Sequence, residues 1–246
     1  MITEGQQLFR AKRFDEAIGA FRKQLLDGTG ERLINVAGLG EALIAAGRYA
    51  EAIPFLTEAG DCEKRDVAGT TGRDTQIAVC AWLSGNRQRG LFLMRSMVMG
   101  LREGSITYAN DLVGGLKQGL LLNYMALTAS SREDIGIAIA FIRELAESSK
   151  VKNWPGPVAQ FLLGTVTLGG ALEAAVGVRD IEQASRIAAS DLMRRRKLTN
   201  VLFNAAASAR AGADEQQCLQ YMRACAALEN PLIEYEWHLA RAEANS

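Results

Sequence analysis

Two stretches decide the fold: Arg13-Phe14-Asp15-Glu16-Ala17-Ile18-Gly19-Ala20-Phe21 and Arg48-Tyr49-Ala50-Glu51-Ala52-Ile53-Pro54-Phe55-Leu56. Aligned on Ala17 and Ala52, they lie 35 residues apart. Each places small and apolar residues one helical turn apart, the pattern of an amphipathic helix. Upstream of each comes a second apolar segment, with Gly5 and Leu8 in the first copy and Leu39-Gly40 and Leu43 in the second. A repeat of this length reads as a pair of helices that cannot bury its apolar face alone, so several pairs must stack. Gly40 and Ala52 are small where the two helices of a pair cross, and Phe21 and Leu56 fill the space against the next helix. Gly28, Gly30 and Gly60 are expected to end the second helices, because glycine adopts the left-handed C-cap conformation without penalty.

The pair resembles tetratricopeptide (TPR) repeats, whose period is about 34 residues and whose pattern runs W-x2-L-G-x2-Y, A-x3-F, P. Gly5, Leu8, Ala17 and Phe21 match it in the first unit, and Leu39-Gly40, Leu43, Ala52, Leu56 and Ala59 in the second; the consensus proline is missing from both. The resemblance implies an all-α fold, a TPR-like right-handed α-solenoid of antiparallel helix hairpins, in one domain spanning 1–246. Residues 1–64 hold the most regular repeats, and 65–150 and 151–246 hold degenerate ones. In TPRs the first helix of each hairpin lines the concave surface. That mapping places Gln6, Phe9, Arg10, Glu41, Ile44, Asp74, Thr75 and Trp82 on or near a partner-binding face. Phe9, Ile44 and Trp82 read equally well as core between repeats, which leaves Arg10, Glu41 and Asp74 as the polar contacts.

Further along, the pattern loosens. A third unit runs through Gln76-Ile77-Ala78-Val79-Cys80-Ala81-Trp82-Leu83, turns at Ser84-Gly85-Asn86, and places Gly90 at the small crossing position. A helix is expected within 108–128, with Gly114, Gly115 and Gly119 packing closely. Ser131 is expected to cap a helix over 135–147, Thr167 to cap one over 168–176, and further helices are expected after Pro157, over 192–210, over 218–228 and over 232–244. No alternating run reads as a strand.

Composition narrows the function. Of 246 residues, 28 are Lys or Arg and 28 are Asp or Glu, so the net charge is zero and the basic excess of a dedicated nucleic-acid binder is absent. The run Arg194-Arg195-Arg196-Lys197 is expected to be a solvated helix segment supported by Asp191. The uncharged stretch before Glu173 is broken by Pro155, Pro157, Gly164, Gly169 and Gly170, which argues for a loop and a buried helix, not a membrane span. The N-terminus shows no basic region followed by an apolar core, so no secretory signal is expected. Cys62, Cys80, Cys218 and Cys225 form no CxxC pair, and the last two are expected to pack as small apolar residues in a reducing compartment.

Chemistry is hard to find. His238 is the single histidine, read as a partly exposed helical residue near Glu234. No phosphate loop, dinucleotide fingerprint or HExxH motif occurs. The carboxylate pairs Glu133-Asp134 and Glu234 with Glu236 read as solvated helix faces, and the stripe Met94, Met97, Met99 as core packing. No metal or cofactor is expected.

Two further stretches carry the resemblance. Trp154-Pro155-Gly156-Pro157-Val158-Ala159-Gln160-Phe161-Leu162-Leu163-Gly164 is similar to a segment of divergent bacterial TPR proteins. Asn230-Pro231-Leu232-Ile233-Glu234-Tyr235-Glu236-Trp237 is similar to how such chains finish. Those proteins include envelope lipoprotein adaptors and proteins encoded beside polymorphic toxins. The expected lack of a lipidated signal favours the cytoplasmic members. The resemblance therefore implies a non-catalytic protein-binding module, most specifically an immunity protein that binds and neutralises a cognate toxin. The alternatives are a scaffold or adaptor assembling other proteins, and an enzyme with a carboxylate-based site in the 69–74 loop or near Asp111.

Overall fold

The computed structural model describes residues 2–66, 73–107, 113–148, 152–232 and 234–245. Among these residues it is all-helical, with helices packing mainly against their neighbours in the chain. The chain divides into two compact units, one comprising Met1–Met97 and Gly104–Ala109, the other Val98–Glu103 and Asn110–Ser246.

The first unit holds α1 (Glu4–Arg10), α2 (Phe14–Leu26), α3 (Arg32–Ala45), α4 (Tyr49–Asp66), α5 (Asp74–Leu83) and most of α6 (Arg87–Glu103). Crossing contacts recur with the 35-residue offset of the sequence. A Cβ on Gly5 would lie 2.6 Å from the Phe21 ring, and one on Gly40 would lie 2.7 Å from Leu56 Cδ2. In the third pair, Gly90 on α6 sits against α5, where a Cβ would lie 2.8 Å from the Ala78 carbonyl oxygen. Around these crossings Ala17, Ile18, Phe21, Leu39, Leu43, Ala52 and Leu56 form one buried cluster.

The turns are more regular than the sequence. The pairs α1/α2, α3/α4 and α5/α6 are each joined by three residues, and the middle one is left-handed: Lys12 at φ +59°, Gly47 at +77° and Gly85 at +94°. In each turn the next residue donates its N–H to the carbonyl five positions back: Arg13 to Leu8, Arg48 to Leu43 and Asn86 to Ala81, at 2.8–3.0 Å. This 6→1 bond satisfies a carbonyl that the helix end would leave bare. The same turn joins α7 (Leu116–Thr128) to α8 (Arg132–Ala146) through Ser130, and α12 (Leu192–Ala211) to α13 (Glu215–Ala226) through Ala213, at φ +55° and +60°.

The second unit is built on α12. Every residue from Leu198 to Ala207 is buried, so this helix is surrounded. Packed against it are α7, α9 (Gly156–Leu162), α10 (Leu168–Val176), α11 (Ile181–Ala188), α13 and α14 (Tyr235–Ala244). Ser131 and Thr167 cap α8 and α10 as expected, accepting from the N–H of Asp134 and Gly170. Cys218 and Cys225 are buried.

Several boundaries differ from expectation. Gly60 ends nothing: it lies inside α4, where a Cβ would lie 3.3 Å from Arg73 Cβ, so its smallness serves packing. Gly114 and Gly115 are left-handed residues ahead of α7; a Cβ on Gly115 would lie 2.5 Å from Leu101 Cδ1 of α6, and one on Gly119 would lie 2.9 Å from Phe141 Cδ1. The portion 108–112 of the expected helix lies outside the described residues. The last helix starts at Tyr235, not at Leu232, whose φ of +66° excludes helix. Helix α13 starts at Glu215 because Asp214 caps it, and α11 is a helix the sequence reading did not include.

Candidate functional site

Helices α1, α3 and α5 carry the residues expected on the binding face. Thr3 and Gln6 form a reciprocal capping box that fixes the start of α1. Phe9 is half-buried, its ring 5.7 Å from that of Phe14, and Arg10 is exposed. On α3, Ile44 is buried, and Glu41 accepts from Arg73 Nη1 at 2.7 Å. Arg73 is the centre of this region. Its Nε donates to Glu63 at 2.9 Å and its Nη1 also donates to Gln76 Oε1 at 3.1 Å. Burial opposes the guanidinium charge, and the carboxylates of Glu41 and Glu63 outweigh it, holding the Arg73 pKa above its ordinary value. Asp74 pairs with Lys64 at 3.5 Å beside it.

Glu41 and Asp74 thus fall in one ion-paired region, while Gln6, Phe9 and Arg10 lie on α1. The two remaining expected face residues are buried. Thr75 donates to Met97 Sδ at 3.6 Å, and Trp82 is 4% exposed with the Arg87 guanidinium 5.5 Å from its ring. Arg73 escaped the sequence reading, since a lone arginine beside a turn carries no periodic signal.

In the second unit a polar network joins the two stretches quoted for the family resemblance. Trp154 Nε1 donates to Asn200 Oδ1 at 3.1 Å, and Asn200 Nδ2 donates to Glu234 Oε2 at 3.3 Å. Lys117 on α7 donates to the same Glu234 oxygen at 2.9 Å and stands 3.5 Å from Glu236 Oε2. Its ammonium also lies 4.9 Å from the Tyr235 ring, and the Lys197 ammonium lies 5.4 Å from the Trp154 ring. Burial works against the Lys117 charge, but Glu236 and Glu234 hold its pKa above the ordinary lysine value. Burial raises the Glu236 carboxyl, and Lys117 pulls it back.

At the other end of α14, Glu243 accepts from Tyr124 and from Arg210, which also donates to Thr128 at 2.8 Å.

Four expectations are overturned. The basic run is not simply solvated: Arg195 is buried and pairs with Glu229 at 2.7 Å, and Arg196 donates to the Pro231 carbonyl at 3.0 Å. Only Arg194, beside Asp191, is an exposed member of the expected kind. Glu234 and Glu236 are not on a solvated face, since Lys117, Arg196 and Asn200 surround them. His238 is 2% exposed, packed edge-on against Trp237. Burial and Arg241 push its pKa down to about 4. Asp134, read with Glu133 as a solvated pair, is buried as well.

Lys117 is held as a cation and is no free amine. Burial raises the thiols of Cys80 and Cys218 to about 12 and about 11, away from the thiolate that a nucleophile needs. Among the described residues no group of three His, Cys, Asp or Glu side chains could hold a metal ion, and no helix is long and apolar enough to cross a membrane. Asp74, the carboxylate of the expected 69–74 site, pairs with Lys64, while 69–72 and Asp111 lie outside the described residues. Comparison with protein-family models, curated proteins and solved structures returns no match.

Proposed function

We propose that this chain is a TPR-like, right-handed α-solenoid that binds a protein partner in the cytoplasm and catalyses no reaction of its own. In its most specific form the reading is a bacterial immunity protein that holds a cognate toxin and blocks its action. The observation that carries it is the recurrence of one turn in five helix pairs, together with the repeated Gly5–Phe21 and Gly40–Leu56 crossings. Stacked hairpins of this kind build extended binding surfaces. Exposed Arg10 and the ion-paired Glu41, Arg73 and Asp74 supply polar contacts on the first helices. Arg73 is already oriented by two carboxylates, so a partner would order it at little entropic cost.

Purification of the tagged chain from its native host, followed by mass spectrometry, tests the reading. One dominant partner is expected, encoded by a neighbouring toxin-like gene, and co-expression is expected to protect cells from it. Affinity is expected to fall when Arg10, Glu41 and Asp74 are changed together to alanine. A partner bound equally well by that variant removes the surface assignment, and a toxin that stays lethal on co-expression removes the immunity reading. Trp82→Ala is not a useful probe, because that side chain is buried and its loss would act on folding.

A further inference from the structure

Helix α6 carries a row of residues that is exposed or half-buried among the described residues. Arg89, Phe92, Ser96, Met99 and Glu103 follow one another at alternating intervals of three and four. That spacing keeps them on one face and is the seam spacing of paired helices. Arg89, Phe92, Ser96 and Glu103 are exposed and Met99 is half-buried. Phe92 is 65% exposed, on a helix whose Met94, Met97 and Val98 are buried. Arg102 is paired with Glu144 at 2.5 Å, whereas no ion pair among the described residues engages Arg89 or Glu103.

The row is self-complementary. Its cation stands near one end, its anion at the other, and a small residue lies midway. Turned end for end about Ser96, a second copy of the row sets Arg89 opposite the second copy's Glu103, and Phe92 near its Met99. Each contact then occurs twice, as two-fold symmetry requires. Ser96 at the centre lets the two backbones approach. An acidic partner would satisfy Arg89 and repel Glu103, and a basic partner would do the reverse. Only a partner with both charges in this order satisfies both ends, and the chain is itself such a partner.

We infer that the outer face of α6 is a self-association surface on which a second copy of this chain docks antiparallel. A single helix pair buries less than the roughly 1,200 Å² at the lower edge of standard interfaces, so the dimer is weak. Its two charge pairs lie at the rim, so association weakens as salt rises.

Sedimentation velocity on the full chain, from about 10 μM to about 1 mM, tests this. The wild type is expected to shift from monomer towards dimer across that range. Arg89→Glu and Glu103→Arg each put like charges opposite one another, and each is expected to weaken association about tenfold. An equimolar mixture of those two variants restores both charge pairs and is expected to associate as tightly as the wild type. Phe92→Ala is expected to weaken the dimer in both settings. All these positions are exposed, and circular dichroism checks that each variant is folded. A wild type that stays monomeric throughout, or a mixture no tighter than its separate components, overturns the inference.

Discussion

Gly40 of α3 and Leu56 of α4 meet without room for a methyl group between them: a Cβ on Gly40 would lie 2.7 Å from Leu56 Cδ2. Leu56 is fully buried, so it has little space to retreat. Gly40→Leu is expected to overpack this crossing and cost roughly 1–3 kcal/mol. Gly19 on α2 is the control, because nothing lies within 4 Å of its Cβ position. Gly19→Ala is expected to stabilise by about 0.5–1 kcal/mol through helix propensity alone. Urea denaturation of both variants checks the opposite signs.

The shared turn makes a second contrast. Ala213 holds a left-handed conformation at φ +60° that costs an L-residue roughly 1–2 kcal/mol, whereas Gly47 holds the equivalent conformation freely. Ala213→Gly is expected to stabilise the chain by up to about 1 kcal/mol, and Gly47→Ala to destabilise it by a similar amount. Shifts of the urea midpoint with unchanged slope would report both.

The same turns show why the repeat was legible in some places and not in others. Gly47 and Gly85 announce the left-handed position, but Lys12, Ser130 and Ala213 occupy it without any compositional signal. The first two pairs could be read because Gly5, Gly40, Ala17 and Ala52 keep one spacing. In the second unit α12 is surrounded, so its apolar residues lose the one-sided period that marks an amphipathic helix. The polar clusters were the least legible part. Lys117 meets Glu234 across 117 residues of chain, and Arg73 meets Glu41 across 32. Charge signs alone cannot pair residues over such separations. The basic run and His238 were misread for the same reason: burial is set by partners distant in sequence.

Lys117 offers a sharp test of the second network. It faces Glu236, which is 1% exposed, and Glu234. Lys117→Met removes the cation and leaves buried negative charge uncompensated, so a loss of about 3–5 kcal/mol is expected. Glu236→Gln in the Lys117→Met background is expected to recover a large part of it. Recovery measured by thermal or urea unfolding would assign the cost to the stranded charge; no recovery would assign it to lost packing of the lysine stem.

His238 sets a pH dependence of known sign. Its folded pKa is about 4 against an ordinary value of 6.5, so the unfolded chain takes up a proton first as pH falls. Its contribution is present above pH 6.5 and is lost progressively down to about pH 4, a total of about 3 kcal/mol. Glu236 has the opposite sign: its folded carboxyl is raised above the ordinary 4.5, so its protonation favours the folded state at low pH. Acid lability between pH 6.5 and 4.5 is therefore expected to come from the imidazole. His238→Gln keeps a donor near the Leu232 backbone and cannot titrate. The variant is expected to be less stable at pH 7 but flatter in stability between pH 6.5 and 4.5. Parallel urea titrations of both proteins over that range would measure the difference, and equal slopes would show that the acid sensitivity lies elsewhere.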